Sequence, residues 1–266
     1  MEPEFLPLAS NETFQFACHP RVPCFNACCR NLNQFLTPYD ILCLKHHLGL
    51  QSDVFLNRFT IETPGPRTGL PIVSLKADPL QGWACPFVTD KGCGVYPARP
   101  ASCRIYPLAR AVSRCRNTGR TTEHFALIKE AHCLGFEQSQ TQRVDQWLID
   151  QDLAPYNDMN DRLLAIIALK NKFKPGPLDT QTRKLFRLML YDLDSFRSRL
   201  KEIDLPQKMQ TDPDLNAAMK NDDPALLALA LRWAGQIIAS GDDCKLTQCM
   251  GPSRNSGGAT QEIGSK

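Results

Sequence analysis

The segment Cys85–Pro107, CPFVTDKGCGVYPARPASCRIYP, limits what this chain can fold into more than any other. It places Cys85, Cys93 and Cys103 within nineteen residues and interleaves them with Phe87, Tyr96, three prolines and a Thr-Asp-Lys-Gly turn signal. Such a segment fixes side-chain positions; it does not maximise apolar area. A second cluster lies upstream at Cys18, Cys24, Cys28 and Cys29, and Cys133 follows alone. The arrangement predicts a fold that gathers these thiols around bound metal.

Four thiolates hold Zn(II) tetrahedrally, or an iron–sulfur core, when they converge from loops short enough to bend. Cys18-x5-Cys24-x3-Cys28-Cys29, Cys85-x7-Cys93-x9-Cys103 and Cys133 supply eight thiols, enough for two four-ligand sites or for one site with spare thiols. Pro20 and Pro23 keep the Cys18–Cys24 stretch out of a helix and free to curl. Cys28 and Cys29 are adjacent and do not readily chelate one ion, so they serve two metal positions or one of them stands back from the metal. His19 and His132 are the substitutes should a thiol fail.

A thiolate site carries net negative charge, and burying it requires cations nearby. Arg99 and Arg104 flank Cys103 and are the candidate cofactor-binding residues, while Arg30 follows Cys29; the competing expectation is ordinary carboxylate pairing. Cys43, between Leu42 and Leu44 of an amphipathic stretch, reads as a core thiol. Cys115 reads as a strand or loop thiol, and Cys244 and Cys249 as bystanders in a tail.

The rest of the composition narrows the function classes. Ten of the twelve cysteines precede residue 134, the net charge is only +3, and there is no basic run, so nucleic-acid binding is not expected. MEPEFLPLASNE lacks the pattern of a secretory signal, and no run of eighteen apolar residues occurs, so the expectation is a cytoplasmic chain without a membrane partner. In that compartment thiols stay reduced, which favours metal over disulfides. The phosphate-binding motifs GxGxxG and GxxxxGK[ST] are missing, as is a recognisable hydrolase arrangement.

The expected fold class is α+β: a small cysteine-rich domain with short antiparallel strands and helices over residues 1–139, then an all-helical domain over 140–240 and a disordered tail over 241–266. Thr37-Pro38-Tyr39-Asp40 starts a helix that runs to about Leu48, and a second spans about Ser52 to Phe59. Leu70 to Leu75 reads as a strand, Ala84–Val88 with Gly94–Tyr96 as a hairpin, and Ala111–Arg114 and His124–Lys129 as further strands. Helical periodicity takes over after Gln140: Val144, Trp147 and Leu148; Leu163, Ile166, Ile167 and Lys170; Leu185, Met189, Leu193, Phe196 and Leu200. A last helix begins at Asp223-Pro224 and carries Leu226, Ala230, Trp233 and Ile237.

FACHPRVPCFNACCR, the Thr-Pro-x-Asp helix, CPFVTDKGCGVYPARPASCRIYPL and HCLGF together resemble the YkgJ-type cysteine-cluster family, a family of proposed zinc- or iron-chelating domains. The resemblance covers about Phe14 to Phe136, and the first cluster is spaced more widely here than the family's CxxCxxCC. It implies metal ligation at Cys18, Cys24, Cys28, Cys29, Cys85, Cys93, Cys103 and Cys133. The family has been labelled a predicted iron–sulfur oxidoreductase, and a related domain occurs in flagellin lysine methylases.

The functional expectation is therefore a metal-binding protein with a redox or radical-assisting role. An iron–sulfur cluster, [4Fe-4S] first, is placed ahead of zinc because eight ligands exceed one zinc's need. The alternatives are a structural zinc domain whose helical part meets a protein partner, or an iron–sulfur-dependent methylase or oxidoreductase.

Overall fold

Buried aromatic and aliphatic side chains sort this chain into two cores, and the cysteine segments run between them. The computed structural model describes residues 3–31, 33–115, 118, 120–202, 212–213, 215–220 and 222–240. Cys244, Cys249 and the tail expected over 241–266 lie outside the described residues. The fold is α+β, with short antiparallel strands in the first half and helices concentrated in the second. Among the described residues, no helix is long and apolar enough to cross a membrane.

The first core lies under a three-stranded antiparallel sheet in the order β1 (Glu4–Leu8), β9 (Thr121–Lys129), β8 (Leu108–Arg114). Alternation along β9 turns Phe125 and Leu127 inward to meet Phe14, Phe16, Leu108 and Val144. Phe14 belongs to β2 (Thr13–Gln15), which pairs with β10 (Thr141–Arg143). That strand corrects the expectation of purely helical structure after Gln140. With Phe14 buried, the backbone of β2 needs a hydrogen-bonding neighbour, and residues 141–143 supply it before α4 (Val144–Asp150) begins. Val144, Trp147 and Leu148 of α4 then pack into this first core, and Trp147 Nε1 donates to the Ile105 carbonyl at 3.0 Å.

The second core is larger. In α1 (Pro38–Leu48), Thr37 and Asp40 form the reciprocal cap expected from sequence, and Ile41, Leu42 and Leu44 are buried. With α2 (Ser52–Phe59) and a sheet ordered β3 (Phe35–Leu36), β5 (Pro71–Leu75), β4 (Thr60–Pro64), they share one continuous apolar cluster with the later helices. Those helices are α5 (Ala154–Phe173), α6 (Thr180–Leu190), α7 (Leu193–Glu202), α8 (Leu215–Met219) and α9 (Asp223–Ser240). Trp233 of α9 packs edge-on against Phe196 of α7 at the centre. The cluster draws residues from both sides of position 140.

Charges buried in this core are paired. Lys45 of α1 reaches Asp194 at 2.9 Å and Asp223 at 2.6 Å, and Arg197 reaches Asp223 at 2.5 Å, so the network ties α1 to the starts of α7 and α9. Lys170, which falls on the apolar face of α5, is buried and donates to the carbonyls of Lys174 and Gly176 just beyond the helix end.

Between the cores lie β6 (Val88–Thr89), β7 (Gly92–Cys93) and α3 (Ala101–Ile105). The hairpin is shorter than expected. Cys85 lies outside it, and Tyr96–Ala98 forms a single helical turn because Pro97 has no N–H to give a ladder.

Candidate metal centre

The first thiol cluster is shaped by turns. Successive backbone bonds from Val22 to His19, Phe25 to Val22 and Ala27 to Cys24 curl the chain, and a one-turn helix, Ala27–Cys29, carries the adjacent pair. Asn26, at φ 67°, donates through its side chain to the Thr89 carbonyl and so fastens this loop to the β6–β7 turn. Gly92 faces the ring of Phe25, and any Cβ placed there would sit 3.1 Å from it. The Cys85 N–H completes the junction by donating to the Cys29 carbonyl at 2.8 Å.

Cys133 arrives from the first core by an equally close approach. The Gly135 carbonyl accepts from the Ala17 N–H at 3.0 Å, and a Cβ on Gly135 would come within 2.5 Å of the Phe16 ring and 2.9 Å of the Ala17 oxygen. Only glycine lets residues 133–137 lie flat against Phe16 and Ala17. The Leu134 N–H donates to the Cys24 sulfur at 3.1 Å.

Cys103 comes on α3, held from two directions. The buried Asp40 carboxylate accepts from the Ala101 N–H at 2.8 Å, and the Cys103 sulfur donates to Gln34 Oε1 at 3.4 Å. All eight thiols are thereby brought into one strip in two groups. Cys18 feels Cys28, Cys24 and Cys133, whereas Cys29 feels Cys28, Cys85 and Cys103. Cys28 acts on Cys85, Cys93 and Cys103 as well, so it stands at the joint between the groups.

Protonation follows from this crowding. Crowding that displaces water, then the neighbouring sulfurs, push the Cys18 thiol up to about 11 and the Cys103 thiol up to about 12, although both residues keep an exposed edge. Burial likewise raises Cys85, Cys93 and Cys133. The adjacent pair splits: a hydrogen bond from Cys29 lowers Cys28 to about 7, and the same bond, with burial, raises Cys29. The pair thus gives up one proton easily and keeps the other.

The two arginines occupy different settings. Arg99 lies 3.8 Å over the Tyr96 ring and donates to the Tyr96 carbonyl and the Gln151 side chain. Burial lowers its pKa, while Cys103 and Cys93 are close enough to act on it. Arg104 is buried, donates to the carbonyls of Arg99, Pro97 and Gln151, and lies 4.7 Å over Tyr156. Its guanidinium clamps the loop before α3 to the segment that joins α4 and α5.

His19 and His132 are engaged with the Arg21 N–H and, at 3.9 Å, with Glu130. Cys43 stands apart from the strip, packed against the larger core beside Tyr156 and Tyr39. Sequence reasoning did not single out Gln34, Glu130 or Tyr106 beside the thiols. For Tyr106, its place three residues after Cys103 is the available signal. A polar cavity of about 560 Å³ opens next to the strip, lined among others by Arg21, Asn26, Ala27, Arg30, Ala84 and Asp90.

Among the described residues, no three His, Cys, Asp or Glu side chains are closed into a group that would hold one ion. The thiols are gathered but not drawn together. Their chemistry fits a thiophilic metal: eight sulfurs, none in a disulfide.

Residues 17–134 match the family model CxxCxxCC, described as "putative zinc- or iron-chelating domain", and this is the family expected from the cysteine motifs. The match spans all eight thiols of the strip and supports zinc or iron chelation. Comparison with curated proteins and with solved structures found no match.

Proposed function

We propose that this chain is a thiolate metal protein that holds zinc or iron at two neighbouring positions. Cys18, Cys24, Cys28 and Cys133 would hold one, and Cys29, Cys85, Cys93 and Cys103 the other. The observation that carries this reading is the pair of chain junctions at the first cluster: the Cys85 N–H bonds the Cys29 carbonyl at 2.8 Å, and the Leu134 N–H, next to Cys133, bonds the Cys24 sulfur at 3.1 Å. Metal–sulfur bonds are about 2.3 Å for zinc, so loading draws each set inward. Bound iron–sulfur would supply one-electron chemistry, and bound zinc would supply a fixed scaffold.

The protein's own part is to present the sulfurs and offset their charge. Arg99 lies near enough to Cys93 and Cys103 to offset their charge, and the Leu134 N–H bonds Cys24. The polar cavity beside Ala27 and Ala84, chain neighbours of Cys28 and Cys85, favours a second element of this reading, a centre that faces a small polar ligand.

Anaerobic purification followed by iron, zinc and acid-labile sulfide analysis tests the proposal. Iron with matching sulfide, or about two zinc ions per chain, is expected on the four-thiolate rule. Less than one metal ion per chain after anaerobic reconstitution overturns it.

A further inference from the structure

A second cavity, of about 490 Å³, opens where the end of α1 meets one face of α7 and the start of α9. It is built on the charge network of the larger core. Lys45, Arg197 and Lys201 line it together with Asp194 and Asp223, so its wall carries one surplus positive charge before His46 is counted.

Both carboxylates are already committed. Asp223 takes Lys45 at 2.6 Å, His46 at 2.6 Å and Arg197 at 2.5 Å. Asp194 takes Lys45 through both oxygens, at 3.0 and 2.9 Å, and the Ser52 N–H at 2.7 Å. The Lys45 and His46 carbonyls at the end of α1 accept from the Leu50 and Gly49 N–H groups. Acceptors facing the cavity are therefore scarce.

Donors, by contrast, are left over. The buried Arg197 donates through Nε to the Ala218 carbonyl at 3.1 Å and meets Asp223 through Nη2 in an ion pair that lacks hydrogen-bond geometry. Its Nη1 stays 3.9 Å from Asp194, beyond hydrogen-bond range. At three, four and seven residues from Asp194, Arg197, Ser198 and Lys201 share one face of α7. Ser198 and Lys201 line the cavity without a hydrogen-bond or ion-pair partner among the described residues.

A donor-rich recess with surplus positive charge selects an anion, and its partly buried wall strengthens each contact over one in open water. A guanidinium, an ammonium and a hydroxyl offer three separate donors, which suit the three terminal oxygens of a phosphoryl group better than the two oxygens of a carboxylate. We propose that this cavity binds a phosphoryl group, as free phosphate or as the monoester of a small molecule, with Arg197 Nη1, Ser198 and Lys201 donating to its oxygens. The family match ends at residue 134, and α7 and α9 lie beyond it, so the site belongs to the junction between the matched segment and the helices that follow. A ligand bound there ties α1 to α7 and α9 and stabilises their packing by mass action.

Thermal unfolding and calorimetry of the full chain test this, with inorganic phosphate, glycerol phosphate and acetate as probes at one ionic strength, which holds general screening constant. Phosphate should raise the unfolding temperature and bind at least about 10-fold tighter than acetate. Lys201→Ala and Ser198→Ala, both at exposed positions, should keep the ligand-free unfolding temperature and each lose about 10-fold in phosphate affinity, as loss of a hydrogen bond to a charged group does. Lys172→Ala, outside the cavity, should lose nothing.

Glycerol phosphate that binds tighter than inorganic phosphate marks a phosphorylated small molecule as the ligand; equal or weaker binding marks free phosphate. No phosphate binding, acetate binding of equal strength, or a phosphate affinity that survives the Lys201→Ala and Ser198→Ala changes together overturns the proposal.

Discussion

Asp40 accepts a hydrogen bond from the Ala101 N–H at 2.8 Å through one carboxylate oxygen while the other holds the backbone and hydroxyl of Thr37, both at 2.8 Å. One buried side chain thus caps α1 and anchors the start of α3, which carries Cys103. Asp40→Ala leaves the N–H groups of Thr37 and Ala101 unpaired in a dry setting. It is expected to cost roughly 2–4 kcal/mol in urea denaturation and to loosen metal at the Cys103 set, since each unpaired buried donor costs about 1–3 kcal/mol.

The close approach at Gly135 makes a second prediction. In Gly135→Ala the new methyl meets both the Phe16 ring and the Ala17 carbonyl, and the backbone oxygen cannot step aside as a side chain could. Overpacking of this kind costs about 1–3 kcal/mol. The measurements are thermal unfolding and metal content, and the loss of metal should fall on the set that includes Cys133.

The paired thiols make a third. Cys18→Ser and Cys93→Ser are each expected to remove about one of two metal equivalents, and Cys28→Ser to disturb both, if the two sets are as assigned. Cys43→Ala should leave metal content intact, because its side chain packs against the larger core and away from the other thiols. Elemental analysis of the four variants checks the division.

The buried charge network gives a pH dependence. Burial alone would raise the Asp223 carboxyl, but hydrogen bonds from Lys45 and Arg197, with help from His46, hold it down at about 2. A depressed carboxyl stabilises the fold above its unfolded value near 4 and loses that contribution as pH falls toward 2. The stability gap between wild type and Asp223→Asn should therefore be about 2 kcal/mol at neutral pH and close over pH 4 to 2, by the 1.36 kcal/mol per unit relation. Urea titrations at several pH values measure it.

How far the sequence could be read depended on what each residue had to satisfy. The Thr37–Asp40 cap was legible because its partners lie three residues apart. The helix faces ending in Ile166 and Ile237 were legible from period alone. The strand β10 was not, since Thr141–Arg143 carries little apolar pattern and exists because β2 lies beside it. Arg104 and Lys170 illustrate the same limit: the sequence marks Arg104 beside Cys103 and Lys170 on an apolar helix face, but the carbonyls at irregular turns that each one satisfies are not visible in it. The eight thiols proposed as ligands were named from spacing and resemblance. The junctions of Cys29 with Cys85 and of Cys24 with Leu134 depend on chain crossings that spacing does not encode.

Each proposed set of sulfurs joins the loop around Cys18–Cys29 to a segment made much later, Cys85–Cys103 for one and Cys133 for the other. During synthesis the first four thiols leave the ribosome well before the sulfurs that complete their sets, and the larger core still waits for Trp233. Until those segments follow, the chain carries unclaimed thiols that are open to oxidation. On the proposed division, metal and reductant would be needed at that stage, before the fold is complete.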